Sequence, residues 1–232
     1  MEHSPSVTVT IVVRDGERYI RHCLRAVREQ TYQNLEVNVF DNNSSDRTRD
    51  IVRDEFSEFR LIEYPENIGM WPGQEVALRY SSGQYILALS VDVILTPTFI
   101  RNAVQVPEKD PAIGAIQAKV YQYDFAELES YGHHLRGTVL DTCGFKLLRS
   151  RRVTNIGHGQ PDRGQFDAQR EIFAVEGATP FFRRNALEAL RIGGFIADRD
   201  YIWYGDDLAL GWRMHLFGFK QVYTPRVIAY HD

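Results

Sequence analysis

The sequence is poor in the features that mark several large classes of protein. Its 232 residues contain two cysteines, Cys23 and Cys143, without metal-type spacing, so we expect buried thiols of a reducing compartment rather than a disulfide. No apolar run approaches the roughly 18 residues that a membrane-spanning helix needs, and the N-terminus has no signal-peptide core. The formal net charge of −4 gives no general attraction to nucleic acid. These absences predict a cytoplasmic protein that binds no nucleic acid.

Several familiar catalytic signatures are missing as well. The chain has no GxxxxGK[ST] phosphate loop, no GxGxxG dinucleotide fingerprint, no HExxH and no paired CxxC. These absences argue against P-loop hydrolases, nicotinamide-dependent oxidoreductases and common zinc sites. His133 and His134 are neighbours, but no carboxylate lies at ligand spacing beside them, so we expect surface residues rather than metal ligands. The arginines of residues 147–152 are expected in a solvated loop.

The first half of the chain alternates between strand and helix patterns. Buried-strand patterns rich in β-branched residues are separated by amphipathic helical stripes. Such alternation predicts an α/β fold, with a mainly parallel, Rossmann-like twisted sheet and helices on both faces. The predicted strands are residues 7–13, 35–41, 59–65 and 84–92, and the predicted helices are residues 17–30, 44–56 and 73–82.

After residue 100 the pattern is looser. Residues 124–170 are polar and interrupted by glycines, and we expect a long loop there, with an exposed and mobile segment at 157–167. The sequence stops directly after a strand pattern, so we expect 1–232 to be a single domain and a piece of a longer protein. Further strands are predicted for residues 113–123, 171–184 and 220–231, and further helices for residues 185–195 and 207–219.

Polar clusters follow three of the predicted strands. Residues 41–46 (DNNSSD) follow the second strand, residues 67–69 (NIG) follow the third, and Asp92 ends the fourth. Each cluster alone is equally well explained by turn formation, because Asn, Asp, Ser and Gly all favour turns. In parallel sheets, however, ligands bind beyond the carboxyl ends of the strands. Three clusters at one edge therefore favour a ligand-binding cleft.

Two adjacent carboxylates, Asp206 and Asp207, stand between Gly205 and an apolar helical run. The plain interpretation is a helix N-terminus, where acidic residues are favoured. The alternative is catalytic. Adjacent carboxylates repel each other, which raises the pKa of one of them, so that one acid can support the site while the other acts as a base near neutral pH. The local sequence leaves both interpretations open.

In their order and spacing, the polar clusters and the acid pair resemble the motifs of family 2 glycosyltransferases, which have the GT-A fold. The similarity is greatest to the bacterial branch that includes rhamnosyltransferases of surface-polysaccharide assembly, and it runs from Val7 to His231. It is carried by FDNNSSDRT (40–48), ENIG (66–69), LSVD (89–92), EGATPFFRR (176–184), GGF (193–195), YGDDLALGWR (204–213) and YH (230–231).

The resemblance implies an activity and a division of labour along the chain. The protein would be an inverting, metal-dependent transferase that moves a sugar from a UDP- or dTDP-activated donor to a hydroxyl of a glycan or lipid-linked acceptor. Residues 1–100 would bind the nucleotide-sugar, and residues 101–232 would bind the acceptor and carry out catalysis. Because acceptors in this family are often lipid-linked, peripheral association with the inner face of the membrane stays open.

The resemblance also assigns roles to individual residues. Asp92 would bind Mg²⁺ or Mn²⁺ together with His231, and the cation would offset the charge of the leaving diphosphate. Asp207 would be the base that deprotonates the acceptor hydroxyl, and Asp206 would orient the acceptor or support the base. Asp41 would hydrogen-bond the pyrimidine or its ribose. The other residues expected to bind the nucleotide-sugar are Thr10 to Val13 (Val12 among them), Arg14, Asn67, Gly69 and again Asp92.

The chain departs from the family pattern in ways that bear on these roles. The metal motif is Ser90-Val91-Asp92, with one carboxylate where the family often has two acids, so the donor's phosphates would have to complete the ligand shell. Gln74-Glu75 replaces an asparagine pair, and Ala209 and Ile196 stand where acids are usual. The single acid keeps open a catalytically impaired nucleotide-sugar-binding domain of a larger synthase. A nucleotidyltransferase would share the sheet type but would need a better phosphate loop after the first strand.

The three tryptophans allow two interpretations each. Trp212 lies in the helical run after the acid pair, and we expect it in the core, because a helical Trp packs more often than it binds substrate. Trp71 and Trp203 flank the expected cleft, where sugar stacking and buried packing are equally plausible.

Overall fold

The structure is a computed structural model of the chain, and it describes residues 4–125, 137–198 and 205–232. The first half is a run of parallel strands and helices close to the predicted one. Its strands pair in parallel without register shifts, the first with the second and fourth, and the second with the third. In chain order the elements are β1 Val7–Val13, α1 Ile20–Arg28, β2 Leu35–Asp41, α2 Thr48–Glu55, β3 Arg60–Glu63, α3 Met70–Leu78 and β4 Tyr85–Leu89.

The second half extends the same sheet with shorter and partly antiparallel strands. Its elements are β5 Val93–Leu95, α4 Phe99–Val104, β6 Ile113–Gln122, β7 Leu140–Thr142, β8 Phe145–Leu147, β9 Val153–Asn155, β10 Arg170–Ile172, β11 Phe181–Arg183, α5 Arg184–Ala189, α6 Asp206–Leu216 and β12 Lys220–His231. The sheet order is β10-β12-β6-β11-β4-β1-β2-β3, with β5 added beside β12 and β7 beside β6. β11 is antiparallel to both of its neighbours, so it joins the two halves into one sheet.

The central strands bury both of their faces. In β1, Val9 and Ile11 belong to the large core that also contains side chains of α1, α2 and α4. Val12 points to the other face and packs with Phe40 and with Ala77 of α3. On that same face, alternate residues of β4 and β11 pack with α5 and α6. Burial on both faces explains the almost unbroken apolar runs of these strands and confirms the prediction of helices on both sides.

The single strand predicted for residues 171–184 is wrong. The segment forms two short strands, β10 and β11, separated by a loop of residues 173–180. Buried side chains of other strands take the hydrogen bonds that a sheet ladder would otherwise make. Gln221 Oε1 accepts from the Val175 N–H at 3.2 Å, and Gln117 Oε1 accepts from the Glu176 N–H at 2.6 Å. These partners are remote in sequence, which is why the local pattern did not reveal the loop.

Two helix boundaries also differ from the prediction. The third helix begins at Met70 rather than at residue 73. Pro72 is compatible with this start because it lies in the first turn, where the backbone N–H groups have no partner within the helix. The helix predicted for residues 185–195 ends at Ala189, and a turn with left-handed glycines follows.

The loop expected over residues 124–170 contains three short strands, β7, β8 and β9. Its segment 157–167 is largely exposed, as predicted. That segment is nevertheless anchored, because Lys119 Nζ donates to Asp162 at 2.8 Å and to Asp167 at 2.6 Å.

Other expectations concern single residues. Cys23 and Cys143 are buried free thiols, as predicted. The arginines of residues 147–152 are exposed between β8 and β9, also as predicted. Among the described residues, no helix has the length and apolar character that crossing a bilayer requires. Three residues discussed above lie outside the described ranges: His133, His134 and Trp203.

Candidate active site

The polar clusters after β2 and β3 meet at the carboxyl edge of the parallel strands. The side-chain amide of Asn42 accepts a hydrogen bond from the Ile68 N–H at 2.9 Å and donates one to the Gly69 carbonyl at 3.1 Å. Asn67 Oδ1 accepts from the Gly69 N–H at 3.0 Å, and Gly69 has a φ of 89°, which favours glycine. Asn67 and Gly69 therefore lie beside the cluster that begins with Asp41.

The loops after β1 and β2 are held together at the same edge. The Asp15 N–H donates to Ser44 Oγ at 2.9 Å, and the Ser45 N–H donates to Asp15 Oδ1 at 2.7 Å. Arg14 is exposed at this rim, with its Nε 3.6 Å from Asp15 Oδ2. Val12, in contrast, is buried beneath α3 and forms part of the floor rather than an open surface.

Asp41 is fully buried at the end of β2. Its Oδ2 accepts a hydrogen bond from the Ser44 N–H at 3.2 Å and lies 3.4 Å from Arg49 Nε. Its Oδ1 is buried and has no hydrogen-bond partner among the described residues. A buried carboxylate oxygen without a donor is costly, so a ligand group that reached this oxygen and donated to it would be stabilising.

Asp92 and His231, the two residues for which the resemblance implies metal binding, are neighbours. β5 begins directly after Asp92 and pairs with the end of β12, so that Val93 lies opposite His231. His231 Nε2 is 3.6 Å from Asp92 Oδ1, and this buried Asp92 oxygen has no hydrogen-bond partner in the part of the chain that the structure describes. The strand pairing thus brings together two residues that are far apart in sequence.

A further carboxylate, Asp141 of β7, was not foreseen. Its Oδ2 lies 2.8 Å from His231 Nδ1, on the side of the imidazole that faces away from Asp92. Burial opposes a charge on the imidazole, but the hydrogen bond to Asp141 and the negative charge of Asp92 outweigh it and raise the pKa of His231 to about 10. The surrounding residues, Leu140 to Thr142, carry no motif that could have marked this acid.

The acid pair opens α6, directly after Gly205, whose φ of 93° lies in the left-handed region. Asp206 Oδ1 accepts from the Asp207 N–H at 3.1 Å, and Asp207 Oδ1 accepts from the Leu208 N–H at 2.7 Å. Burial raises the pKa of Asp207 to about 6, and the charge of Asp206 adds to this effect against the backbone hydrogen bonds. The pair therefore lies at a helix start, as the capping interpretation predicts. The pKa of Asp207 is in addition raised towards neutral pH, which suits a general base.

The loop of residues 173–180 connects the surroundings of Asp92 with α6. At one end, the Ser90 N–H donates to the Ala178 carbonyl at 2.9 Å. At the other, His215 Nε2 of α6 lies 2.8 Å from the Phe173 carbonyl oxygen. A Cβ on Gly211 would lie only 2.4 Å from the Cβ of Ala174, so α6 approaches this loop closely.

Glu176, in the middle of this loop, was also missed as a site residue. Burial raises the pKa of its carboxyl to about 7, although the Ala178 N–H donates to it at 3.0 Å. The positive charge of His231 lowers this pKa, while the negative charges of Asp141 and Asp207 raise it. Glu176 therefore lies within electrostatic reach of both the His231 cluster and the acid pair. The sequence signal was an acid inside an apolar stretch, Phe173 to Phe182.

One departure from the family pattern has a structural explanation, and two of the tryptophans can be placed. Glu75 Oε1 accepts from the Ile196 N–H at 2.9 Å and from the Ala197 N–H at 3.2 Å, so Glu75 binds the segment after the GGF turn. Trp212 is 47% exposed and lies with its ring edge against Phe173, so the expectation of a core position is wrong. Trp71 is buried against Phe182 instead, which favours the packing interpretation.

Two cavities lie away from these residues. One of about 590 Å³ is lined by residues that include Leu35 and Arg60, at the starts of β2 and β3. Another of about 480 Å³ is lined by Tyr85 and Arg183, among others, at the opposite end of β4 from Asp92. Neither contains a predicted site residue.

The residues present fit a divalent cation that a ligand helps to hold. Asp92 offers a buried oxygen beside the His231 imidazole, whose Nε2 becomes a ligand when the cation displaces its proton. Within the described residues, no group of three or more His, Cys, Asp or Glu side chains forms a complete ligand set. A cation here would need further oxygen ligands, such as the phosphates of a nucleotide.

Solved structures show the same fold. The structure of GalNAc-T7 with UDP, GalNAc and Mn²⁺ has a TM-score of 0.75 at 14% identity and covers 100% of this chain and 44% of that one. The mannosyltransferase PcManGT from Pyrobaculum calidifontis, in complex with GDP-Man and Mn²⁺, has a TM-score of 0.69 at 22% identity and covers 99% and 57%. At these identities the likeness concerns the fold alone, and it confirms the predicted GT-A fold.

The chain is also similar in sequence to known glycosyltransferases. An N-acetylglucosaminyltransferase of Rhizobium sp. (strain N33) is 34% identical over 97% of this chain and 48% of its own length. The chain spans about half the length, or less, of the relatives that it matches. The family model described as glycosyl transferase family 2 matches residues 8–191, most of the chain. This chain therefore belongs to glycosyl transferase family 2.

Proposed function

We propose that this domain transfers a sugar from a nucleoside-diphosphate donor to a hydroxyl of a glycan or lipid-linked acceptor, with inversion and with Mg²⁺ or Mn²⁺ bound. The observation that carries the proposal is that the loop of residues 173–180 contacts both the strand end that carries Asp92 and the helix α6, which begins with Asp206 and Asp207. The effect of both Asp207 and His231 on the pKa of Glu176 supports the same closeness. Family membership and the nucleotide and Mn²⁺ named for the two structural relatives add support.

Donor binding is proposed for the first half of the chain, residues 1–100. The free Oδ1 of Asp41 would accept the ring N–H of uracil or thymine, or a ribose hydroxyl, which favours a UDP- or dTDP-sugar. Arg14 lies at the rim of the same edge, where its charge suits a phosphate. Asn67 and Gly69 would shape the neighbouring wall of the donor site.

Asp92 and His231 would hold the cation. When bound, the cation supplies Lewis-acid stabilisation of the diphosphate as the bond to the sugar breaks. Because only two protein ligands are proposed, cation and donor should bind with strong mutual dependence.

Asp207 is proposed as the general base of the second half, residues 101–232. As the acceptor oxygen forms its bond to the anomeric carbon, its proton passes to the Asp207 carboxylate. The bond from that carbon to the donor phosphate breaks, and the nucleoside diphosphate leaves with the electron pair. Attack from the side opposite the leaving group inverts the configuration. Asp206 would orient the acceptor or hold Asp207 in its perturbed state.

A cytoplasmic location at the inner face of the membrane belongs to the same proposal. Trp212 and Leu216 expose apolar side chains on α6, the helix that begins with the acid pair. Such a surface on the helix that carries the proposed base supports a lipid-linked acceptor. Co-sedimentation with vesicles that contain anionic lipid, compared for the wild type and Leu216→Ser, tests this part alone.

Nucleotide release from a panel of UDP- and dTDP-sugars, with Mn²⁺ or with EDTA, tests the proposed function. An enzyme should release nucleotide slowly from the correct donor in Mn²⁺, and faster when its acceptor is added. Asp207→Asn should bind that donor but not turn it over. A wild-type protein that binds donors and releases no nucleotide under any condition would instead be the nucleotide-sugar-binding domain considered above.

A further inference from the structure

The two ring nitrogens of His231 have different surroundings. Nε2 faces Asp92, 3.6 Å from its Oδ1, whereas Nδ1 lies 2.8 Å from Asp141 Oδ2. The second distance is that of a short hydrogen bond to a charged acceptor, and the first is not. Asp141 therefore contacts the imidazole on the side away from the proposed cation.

Asp141 is well placed to hold the ring still. The end of β6 pairs with β12 on one side, where Gln122 lies opposite His231, and with β7 on the other. The contact between Asp141 and His231 consequently crosses the end of β6 and ties two strands that do not pair with each other. The side chain of Asp141 is only 17% exposed.

A second histidine contacts Asp141 from the opposite side. His158 Nδ1 lies 2.8 Å from the Asp141 backbone carbonyl oxygen and 3.3 Å from its Oδ1. The two carboxylate oxygens of Asp141 thus face different histidines. Since Oδ2 is engaged with Nδ1 of His231, Asp141 is arranged as a hydrogen-bond acceptor for that ring rather than as a cation ligand.

We propose that Asp141 is the positioning residue of His231, which it holds so that the Nε2 lone pair is directed to a divalent cation beside Asp92. Metal-binding histidines commonly donate their other ring N–H to a carboxylate, which fixes both the tautomer and the ring orientation. The inference rests on the proposed function only for the presence of the cation. It concerns an acid that neither the sequence motifs nor the resemblance marked.

Two other roles for Asp141 make different predictions. As a direct ligand, or as a remote negative charge, Asp141 would act through its charge, and an amide in its place would fail as badly as a methyl group. As a positioning residue, it acts through an acceptor oxygen, which asparagine retains. Asp141→Asn and Asp141→Ala therefore separate the possibilities.

The experiment measures Mn²⁺ affinity from the electron paramagnetic resonance signal of free Mn²⁺, with UDP at a fixed concentration. It compares the wild type with Asp141→Asn, Asp141→Ala and Asp92→Ala. His158→Ala is the matched control, since it removes the partner on the other side of the same carboxylate. Thermal melting without metal checks that each variant is folded, and the isosteric Asp141→Asn keeps the test available if Asp141→Ala does not fold.

We expect Asp141→Ala to weaken Mn²⁺ binding about 10- to 100-fold, as loss of such partners does elsewhere. Asp141→Asn should retain most of the affinity, and His158→Ala should bind like the wild type. An unchanged affinity in Asp141→Ala would overturn the inference, and so would equal losses in Asn and Ala variants. A wild-type protein that does not bind Mn²⁺ would also overturn the inference. Sugar transfer is a separate measurement: if it occurs in EDTA, the sugar-transfer activity stands although the cation site does not.

Discussion

The backbone N–H of Ser90 donates a hydrogen bond of 2.9 Å to the carbonyl oxygen of Ala178. Ser90 lies two residues before Asp92, and Ala178 lies two residues after Glu176. This bond therefore fixes the turn that carries the proposed metal ligand to the loop that also contacts α6. The loop therefore connects the proposed leaving-group side of the reaction, through this main-chain bond, with the proposed acceptor side, where His215 Nε2 of α6 lies 2.8 Å from the Phe173 carbonyl oxygen.

Asp207→Asn should abolish transfer while leaving donor binding near the wild-type value. General-base catalysis contributes about 10²- to 10⁴-fold, so kcat should fall by at least about a hundredfold. The measurement is kcat for transfer beside a Kd for UDP in Mn²⁺. Asp206→Asn is the matched control, because it changes the adjacent acid in the same helical turn, and we expect a smaller loss from it. If Asp207→Asn turns over within about tenfold of the wild type, the base assignment is wrong.

The pH dependence of kcat should have an acidic limb with an apparent pKa of about 6. Burial and the charge of Asp206 raise the pKa of Asp207 to this value, and a base must be deprotonated to act. Activity should therefore be nearly constant above about pH 7 and fall tenfold per pH unit well below 6.

Asp206→Asn gives the matching control for this limb. Removing a neighbouring negative charge makes the ionised form of Asp207 less unfavourable, so the limb should move to lower pH. A limb that stays in place or moves upward would show that another group controls it.

How much of the site was predictable depends on where each residue's partners lie in the sequence. Asp41 and Asp92 lie at the ends of strands that the sequence pattern predicts clearly. Because these strands are parallel, the prediction places both residues at the same edge of the sheet. Asp141 is placed beside His231 by a strand of only three residues. Glu176 lies within electrostatic reach of Asp207 because its loop is held by hydrogen bonds to two buried glutamines. Neither arrangement leaves a periodic or spacing signal, because each depends on contacts between distant segments. The same cause made residues 171–184 resemble one strand.

Asp41→Asn should reduce the preference for uracil over cytosine nucleotides. The unpartnered Oδ1 of Asp41 can accept the N3–H of uracil, whereas cytosine presents a lone pair at that position and would be repelled. An amide can turn its NH₂ towards that lone pair. Titration calorimetry with UDP and CDP should show a wild-type preference of about 10-fold or more, and a smaller one in the variant.

Asp46→Asn is the control for this experiment. Asp46 belongs to the same loop, but its carboxylate already accepts from the Glu17 and Thr48 backbone N–H groups. We expect the ratio of UDP to CDP affinity to be unchanged in it. An unchanged ratio in Asp41→Asn as well would place the base away from Asp41.

Gly211→Ala should disturb both stability and catalysis. A Cβ at Gly211 would lie 2.4 Å from the Cβ of Ala174 and 3.3 Å from its Cα, so either α6 or the loop of residues 173–180 must move. Overpacking of this kind typically costs about 1–3 kcal/mol, which outweighs the higher helix propensity of alanine. Gly177→Ala is the control for stability, because nothing lies within 4 Å of its added Cβ. The melting temperature of Gly211→Ala should fall because of the overpacking. Its kcat should fall as well, because the displaced helix carries Asp206 and Asp207. A variant with a wild-type melting temperature and wild-type kcat would show that the close approach of α6 to Ala174 does not position the acid pair.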